Sequence, residues 1–245
     1  MSAPVMLITG GSRGIGAAIA KLAARRGYDI ALTYARDAAA AERVAEDVRA
    51  QGRNVLCIKA DVSSETAVTQ TFEQVDAEFG RLSSLVYNSA ITGINSRLDE
   101  VEPMTLREVL NVNVLGAMLH AREAVLRMST KYGGNGGSII LLSSRAALYG
   151  SAGEYVWYAA SKGAIDSFNI GLAREVGSEG IRVNAVSPGP IETDMHRPGR
   201  LERVVPNNPM GRAGTPDETA QAVLFLASGD ASYVNGANIS VSGGM

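Results

Sequence analysis

The chain alternates short apolar runs with helical stretches along its whole length, and this alternation restricts the folds open to it. Seven runs are typical of buried strands: Val5–Thr9, Ile30–Tyr34, Val55–Ala60, Leu85–Asn88, Ser138–Ser143, Arg182–Ser187 and Asn238–Val241. Strands that are apolar throughout and separated by helices indicate a parallel sheet covered on both faces. We therefore predict an α/β fold with a seven-stranded parallel sheet flanked by helices.

Helical patterns occupy the intervals between these strands. They end near Arg26–Gly27 and Gln51–Gly52 and otherwise span about Ser64–Phe79, 103–131, 154–178 and 216–228. Two helix starts carry capping signals, Ser151 with Glu154 and Thr215 with Glu218. No linker, repeat or low-complexity block divides the sequence, so we expect one doubly wound domain over residues 1–245.

Composition and charge exclude several classes of function. A net charge of −2 gives no electrostatic reason to expect nucleic acid or an anionic membrane as a partner. Cys57 is the only cysteine, and His120 and His196 are far apart, so we expect neither a disulfide nor a metal site. The sequence has no window of eighteen apolar residues and no signal-like start. We therefore expect a cytoplasmic protein.

The stretch TGGSRGIG, residues 9–16, lies where the first strand is expected to turn into the first helix. Without side chains at Gly10, Gly14 and Gly16, the turn can tighten and a pyrophosphate can approach the helix N-terminus. The free N–H groups there favour anions. A glycine-rich turn in this βαβ context predicts dinucleotide binding.

The same turn also fits a different class of enzyme. Residues 10–14 satisfy G-x-S-x-G, the nucleophile elbow of α/β-hydrolases, with His196 as a candidate late histidine. That elbow needs an earlier strand and loop to supply its second oxyanion N–H, and only nine residues precede Gly10. We therefore favour the dinucleotide interpretation.

The stretch EYVWYAASKGAID, residues 154–166, places Tyr158 and Lys162 one turn apart on one helix face. Tyr155 lies a further turn back, and we interpret Tyr155 and Trp157 as packing residues. A free tyrosine has a pKa of about 10. A neighbouring ammonium, together with the positive nicotinamide of a bound oxidised dinucleotide, favours the phenolate, so we expect the pKa of Tyr158 to be lowered. An isolated match to Tyr-x-x-x-Lys is more often an ordinary amphipathic face.

Together these stretches resemble the short-chain dehydrogenase/reductases along the whole chain. Besides the glycine turn, the chain has Asn113 in NVNVLG, Ser144 after the fifth strand, Tyr158-x-x-x-Lys162, Pro188-Gly189 and a terminal ISVSGG. Within the family it looks similar to bacterial 3-oxoacyl carrier-protein reductases and to sugar and polyol dehydrogenases. One departure is that the usual NNAG after strand four is Tyr87-Asn88-Ser89-Ala90.

The resemblance implies a Rossmann fold and an NADP(H)-dependent reaction that interconverts a small-molecule carbonyl and a secondary alcohol. It implies Tyr158 as general acid/base, Ser144 as the hydrogen-bond partner of the substrate oxygen, Lys162 on the nicotinamide ribose and Asn113 positioning a water. The cofactor-binding residues it implies are Gly10, Ser12, Arg13, Gly14, Ile15, Gly16, Tyr34, Arg36, Asp61, Val62, Asn88, Ser89, Ala90, Tyr158, Lys162, Pro188, Gly189, Ile191 and Thr193.

The end of the second strand indicates which dinucleotide is used. NAD-dependent enzymes usually place an acid there for the ribose 2′-hydroxyl, but this stretch has no acid before Asp37. Arg36 offers a charge-assisted partner for a 2′-phosphate, and Arg13 points a second cation to the same side. Asp37 could reach the ribose instead, but we interpret it as the N-cap of the next helix. We therefore predict NADP(H).

Apolar residues on several faces of the helices at 103–131 and 154–178 predict an oligomer. Leu110, Val114, Met118 and Leu119 lie on more than one face of the first helix, and a sheet buries only one face. The resemblance implies that these helices pair across a two-fold axis and that the C-terminal strand with Met245 packs at another. We expect a homotetramer.

Two questions stay open at this stage. The stretch His196–Arg212 carries four arginines, which are more often a solvated flap than an anion site; an acidic or carrier-bound substrate is the lesser alternative. A dinucleotide-binding regulatory or scaffold protein on the same fold is the alternative to an enzyme. The substrate is set by loops that no motif fixes.

Overall fold

The seven predicted strands form one parallel sheet, which confirms the expected fold class. The computed structural model describes residues 3–195 and 198–245. Each predicted strand end agrees with the structure to within one residue. The strands are β1 (Val5–Ile8), β2 (Asp29–Tyr34), β3 (Val55–Lys59), β4 (Ser84–Tyr87), β5 (Gly137–Leu142), β6 (Ile181–Pro188) and β7 (Asn238–Val241). Their order across the sheet is β3-β2-β1-β4-β5-β6-β7.

Helices cover both faces of this sheet. They are α1 (Gly14–Arg25), α2 (Ala38–Ala50), α3 (Glu65–Phe79), α4 (Pro103–Leu110), α5 (Gly116–Met128), α6 (Ala146–Tyr149), α7 (Val156–Val176), α8 (Arg200–Val204) and α9 (Pro216–Ala227). No helix in the described part of the chain has the length and apolar character needed to cross a bilayer.

The alternating side chains of the strands divide the core into two layers. In β1, Met6 and Ile8 face the layer that contains α1, α2 and α9, whereas Val5 and Leu7 face α3, α5 and α7. All four side chains are buried, and each contributes about 1.5–3 kcal/mol by leaving water. This double burial explains why the strands are continuously apolar instead of alternating with polar residues.

The predicted helix over 103–131 is interrupted in its middle. Between α4 and α5 the chain forms a π-helical turn, Asn111–Leu115, which contains Asn113. The carbonyl of Val112 in this turn accepts a 2.5 Å hydrogen bond from the buried Tyr87 hydroxyl. A Cβ at position 116 would overlap this hydroxyl, so Gly116 makes room for the tie. The extra residue of a π turn shifts the helix face and often marks a functional site.

One predicted helix cap is confirmed and the other is wrong. Thr215 and Glu218 form the expected reciprocal capping box at the start of α9. Ser151 does not cap α7, because that helix begins only at Val156 and Ser151 has a φ of +50°. The Glu154 carboxylate pairs with Arg200 and Arg203 instead of with backbone N–H groups. For the Glu154 carboxylate, the attraction of two guanidinium groups outweighs hydrogen bonds with neutral backbone N–H groups.

Candidate active site

The glycine turn takes the tight path that its residues predict. Gly10 and Gly14 have φ values of +63° and +52°, a region that favours glycine. A Cβ on Gly16 would overlap the carbonyl oxygen of Gly10, so the first turn of α1 packs directly on the loop that precedes it. Larger residues at these positions would open the turn.

Side chains at the ends of β1 and β4 hold the turn in place. The Thr9 hydroxyl accepts hydrogen bonds of 3.0 Å from the backbone N–H groups of Asn88 and Ser89. The Asn88 amide donates to the carbonyls of Thr9 and Gly10 at 3.0 and 3.1 Å. Asn88 thereby fixes the glycine turn, and Ser89 retains a backbone contact despite the departure from NNAG.

The N-terminus of α1 is open to an anion. Arg13 is the N-cap residue, and no side chain in the described part of the chain caps the first-turn N–H groups. These donors and the helix dipole attract negative charge. An uncapped helix start behind a glycine-rich turn fits the pyrophosphate of a dinucleotide.

Tyr158 and Lys162 lie together on α7, as their spacing predicts. Both are buried, at 8% and 3% exposure. The Lys162 ammonium lies 5.8 Å from the centroid of the Tyr158 ring and donates a 2.6 Å hydrogen bond to the carbonyl of Leu142. Tyr155 packs edge-on against Tyr158, which agrees with a packing role. The helix therefore brings a phenol and an ammonium to the carboxyl end of β5.

Burial dominates the proton affinities of this pair. It raises the pKa of Tyr158 above its ordinary value, while the hydrogen bond with Ser144 and the charge of Arg200 act in the opposite direction. The lowering that we expect with an oxidised cofactor bound stays a prediction, because in the chain alone burial is the larger effect. Burial also lowers the pKa of Lys162 to about 8, partly offset by the nearby charge of Asp166. Desolvation disfavours the charged form of both groups.

Ser144 and Asn113 occupy different environments. Ser144 lies beside the Tyr158 hydroxyl, and its own hydroxyl accepts a 3.1 Å hydrogen bond from the N–H of Ala146. The Asn113 side chain is fully buried. Its amide oxygen accepts a hydrogen bond from the Ile91 N–H, and its amide nitrogen donates one to the Ile91 carbonyl, both at 2.9 Å. It also donates to the Ser161 hydroxyl at 2.9 Å. Both amide hydrogens are thus occupied, and water positioning by Asn113 stays a prediction.

Three of the four predicted catalytic residues, Ser144, Tyr158 and Lys162, border one cavity of about 370 Å³ at the carboxyl edge of the sheet. Asn113 is not part of its wall. Among the predicted cofactor residues, the wall also contains Ile15, Asn88, Ala90, Pro188, Gly189, Ile191 and Thr193. The Thr193 side chain lies against Gly14, so the loop after β6 closes the cavity on the side of the glycine turn. The predicted catalytic and cofactor sets therefore meet in one place.

The remaining predicted cofactor residues lie at the same sheet edge, outside the cavity wall. Gly10 donates its N–H to the Thr33 hydroxyl at 3.2 Å, and this hydrogen bond holds the glycine turn against the end of β2. Ser12 belongs to that turn. Tyr34 and Arg36 lie at that end of β2. The hydrogen bond from Ala60 N–H to the Tyr34 carbonyl brings Asp61 and Val62, just beyond β3, to the same edge.

The structure modifies the prediction for the two arginines. Arg13 forms a 2.8 Å ion pair with Asp194 in the loop after β6, so its charge is already matched. Arg36 is exposed. Asp37 accepts a 2.8 Å hydrogen bond from Ala40 N–H, which confirms it as the N-cap of α2. Arg36, two residues after the end of β2, therefore stays the predicted partner of a cofactor 2′-phosphate.

Some site residues escape the sequence patterns. Asp166 lies one turn beyond Lys162, and the i,i+4 spacing of an acid and a lysine is the signal that points to it. Arg200 of α8 lies 5.5 Å from the Tyr155 ring centroid and borders the cavity, but no local pattern marks a loop arginine as part of the site. His196, the candidate hydrolase histidine, and Arg197 of the arginine-rich flap lie outside the described residues.

Comparisons with known proteins agree with this arrangement. A family model described as enoyl-(acyl carrier protein) reductase matches residues 10–245. An uncharacterised oxidoreductase of Escherichia coli K12 is 45% identical over 98% of this chain and 99% of its own length. The 3-oxoacyl-[acyl-carrier-protein] reductase of Pseudomonas aeruginosa is 40% identical, over 98% of this chain and 96% of its own.

A solved structure shows that the similarity extends to the three-dimensional fold. A short-chain dehydrogenase from Burkholderia cenocepacia, in complex with NADP, superimposes with a TM-score of 0.92 at 34% identity. The match covers 99% of this chain and 98% of that one. The family model and the full-length relatives therefore agree in sequence and in overall fold with this chain. The chain belongs to the short-chain dehydrogenase/reductase family of oxidoreductases.

Proposed function

We propose that this protein is an NADP(H)-dependent oxidoreductase that interconverts a carbonyl and a secondary alcohol. The observation that carries the proposal is the burial of Tyr158 and Lys162 together on α7, beside Ser144, in a cavity that reaches the N-terminal turn of α1. A phenol, a hydroxyl and an ammonium at one end of a dinucleotide cleft suit proton transfer to and from a substrate oxygen.

Each side chain has a task in the reduction. The nicotinamide dinucleotide, held at the glycine turn and Lys162, would supply the hydride for the carbonyl carbon. Tyr158 donates its phenolic proton to the carbonyl oxygen as negative charge develops there, and Ser144 stabilises that oxygen by a hydrogen bond. The raised pKa of Tyr158 keeps the phenol protonated at neutral pH, which is the form that reduction needs. In oxidation the phenolate accepts the alcohol proton.

Lys162 connects the proton donor with the cofactor. Its ammonium is held by the Leu142 carbonyl and faces the Tyr158 ring, so it favours the phenolate left after proton transfer. We assign it the nicotinamide ribose as a further partner, as in the family resemblance. Its lowered pKa of about 8 leaves it mostly charged at neutral pH.

Three further assignments belong to this proposal. The reductase name of the Pseudomonas relative supports a 3-oxoacyl-like carbonyl as the reducible group. The NADP-bound Burkholderia relative and Arg36 at the end of β2 support NADP(H) over NAD(H). The single cysteine, Cys57, is free, which suits a cytoplasmic location.

The surface supports a homotetramer. Leu110, Leu115 and Met118 on the α4–α5 segment are 40–47% exposed, and Ile170 on α7 is 46% exposed. Exposed apolar residues on neighbouring helices are favourable only when another surface covers them. Pairing of these helices across a two-fold axis gives a closed assembly.

Replacing Tyr158 by Phe tests the proton donor. The ring still packs, so we expect folding and NADPH binding to persist while turnover falls about 10²- to 10⁴-fold, the usual contribution of general acid–base catalysis. The measurement is NADPH oxidation over a panel of carbonyl compounds.

Tyr155→Phe is the matched control and should retain near-normal turnover. Normal turnover by the Tyr158→Phe enzyme would contradict the assignment. NADPH binding by the unmutated protein, without turnover of any carbonyl or alcohol, would favour the regulatory or scaffold alternative.

Cofactor choice is tested by removing the two arginines. We expect the unmutated protein to prefer NADPH over NADH by about tenfold to a hundredfold in kcat/KM, since exposed charge-assisted contacts give modest energies. Arg36→Ala should lose more of this preference than Arg13→Ala, because Arg13 must first leave Asp194. The double variant should lose most of it.

Arg25→Ala serves as the control, since Arg25 lies at the other end of α1. Equal use of NADH and NADPH by the unmutated protein would refute the assignment of Arg36 and Arg13 to the 2′-phosphate of NADP(H).

Assembly is tested by light scattering at micromolar concentration. We expect a tetrameric mass, and smaller species when Leu110 and Met118 are both replaced by Glu, because charge opposes burial of that face. Leu98→Glu, at an exposed position outside α4, α5 and α7, should leave the mass unchanged. A monomeric mass for the unmutated chain would exclude the tetramer.

A further inference from the structure

One guanidinium on the cavity wall, that of Arg145, has no counter-ion among the residues that the structure describes. Arg145 directly follows Ser144, and its backbone N–H donates to the Pro188 carbonyl at 3.0 Å, so β6 fixes its position. Its guanidinium carbon lies 5.4 Å from the Tyr149 ring centroid, and one nitrogen donates a 3.2 Å hydrogen bond to the Tyr149 hydroxyl. Within residues 3–195 and 198–245, no carboxylate forms an ion pair with Arg145.

The guanidinium is also only partly satisfied by hydrogen bonds. Its Nε is buried and has no hydrogen-bond partner in the part of the chain that the structure describes. The side chain as a whole is partly buried, so its other nitrogens stay accessible from the cavity. An anion that enters the cavity would give this guanidinium the charge-assisted hydrogen bonds that it lacks.

The other charged side chains on the wall already have polar partners. Glu154 is paired with Arg200 and with Arg203, which connects the start of α7 to α8. Lys162 is bound to the Leu142 carbonyl and faces Tyr158. The wall therefore carries two guanidinium groups, and among the described residues only that of Arg145 has no carboxylate partner.

We propose that Arg145 binds a carboxylate of the substrate, and that the substrates of this enzyme are oxo acids. A guanidinium matches a carboxylate in charge and in planar, bidentate geometry. The inference rests on the proposed carbonyl reduction and names its substrate class. The carboxylate takes no part in bond making: the carbonyl carbon gains the hydride and the carbonyl oxygen gains the Tyr158 proton.

The size of the cavity also limits the length of the substrate. Ser144 and Arg145 both border it, and its volume of about 370 Å³ is near the lower end of ligand pockets. Short oxo acids, with few carbons between carbonyl and carboxylate, fit this cavity.

Matched acids and esters test the proposal. The measurement is initial-rate NADPH oxidation with acetoacetate against methyl acetoacetate and with levulinate against methyl levulinate. We expect the acids to be preferred by about tenfold or more in kcat/KM, through a lower KM, since one charge-assisted pair supplies that difference. Arg145→Gln should abolish the preference and leave the esters nearly unchanged, while Arg145→Lys should retain part of it.

Arg203→Gln is the control, because Arg203 is a nearby cation that does not border the cavity. It should leave the ratio of acid to ester unchanged. Equal losses on acids and esters in Arg145→Gln, or a preference for the esters in the unmutated enzyme, would overturn the role of Arg145.

A binding measurement separates this proposal from the proposed function. Trp157, the only tryptophan, donates a 2.8 Å hydrogen bond to the carbonyl of Thr92 on the cavity wall, so its fluorescence reports on the cavity. Titration with 3-hydroxybutyrate should give a saturable change in the unmutated protein and none in Arg145→Gln. Saturable binding without turnover of any carbonyl would support the anion site and contradict the proposed reaction. Turnover of esters without carboxylate binding would support the proposed reaction and contradict the anion site.

Discussion

The close approach of the glycine turn to the end of β4 is the constraint on which the rest of the site depends. The chain reverses its direction across the sheet at β1, so β1 and β4 become neighbours and a crevice opens at their carboxyl ends. Gly16 packs on the Gly10 carbonyl, and Asn88 binds that same carbonyl from β4. This contact fixes the uncapped start of α1 at one end of the crevice and leaves the cavity between it and α7.

Burial sets the chemistry at the other end of the crevice. Burial raises the pKa of Tyr158, which keeps the phenol protonated at neutral pH, and lowers that of Lys162 to about 8. Ser144 and Arg200 counteract part of this effect at Tyr158. Arg145 on the same wall is partly buried and has no carboxylate partner among the described residues. The cavity therefore combines a protonated phenol with a guanidinium that is available to an anion.

The sequence predicts the fold well because strand burial and glycine conformation are local properties. Continuous apolar runs reveal the strands, and the i,i+4 spacing places Tyr158 beside Lys162. Contacts between distant parts of the chain are what the sequence does not reveal. The Glu154 carboxylate pairs with arginines about fifty residues away, so the predicted capping box does not form. The ion pair of Arg13 with Asp194 is likewise invisible to local spacing. The pKa of Tyr158 is raised in the chain alone because the phenol is buried, and residue spacing does not reveal burial.

A crystal structure of the protein with NADP⁺ tests the central claim most directly. The account predicts that the pyrophosphate lies against the first-turn N–H groups of α1 and that the nicotinamide ring enters the cavity next to Tyr158, with its ribose near the Lys162 ammonium. A dinucleotide bound elsewhere on the sheet edge would contradict the account. So would a nicotinamide separated from Tyr158 by ordered protein, since hydride and proton would then not reach one carbonyl.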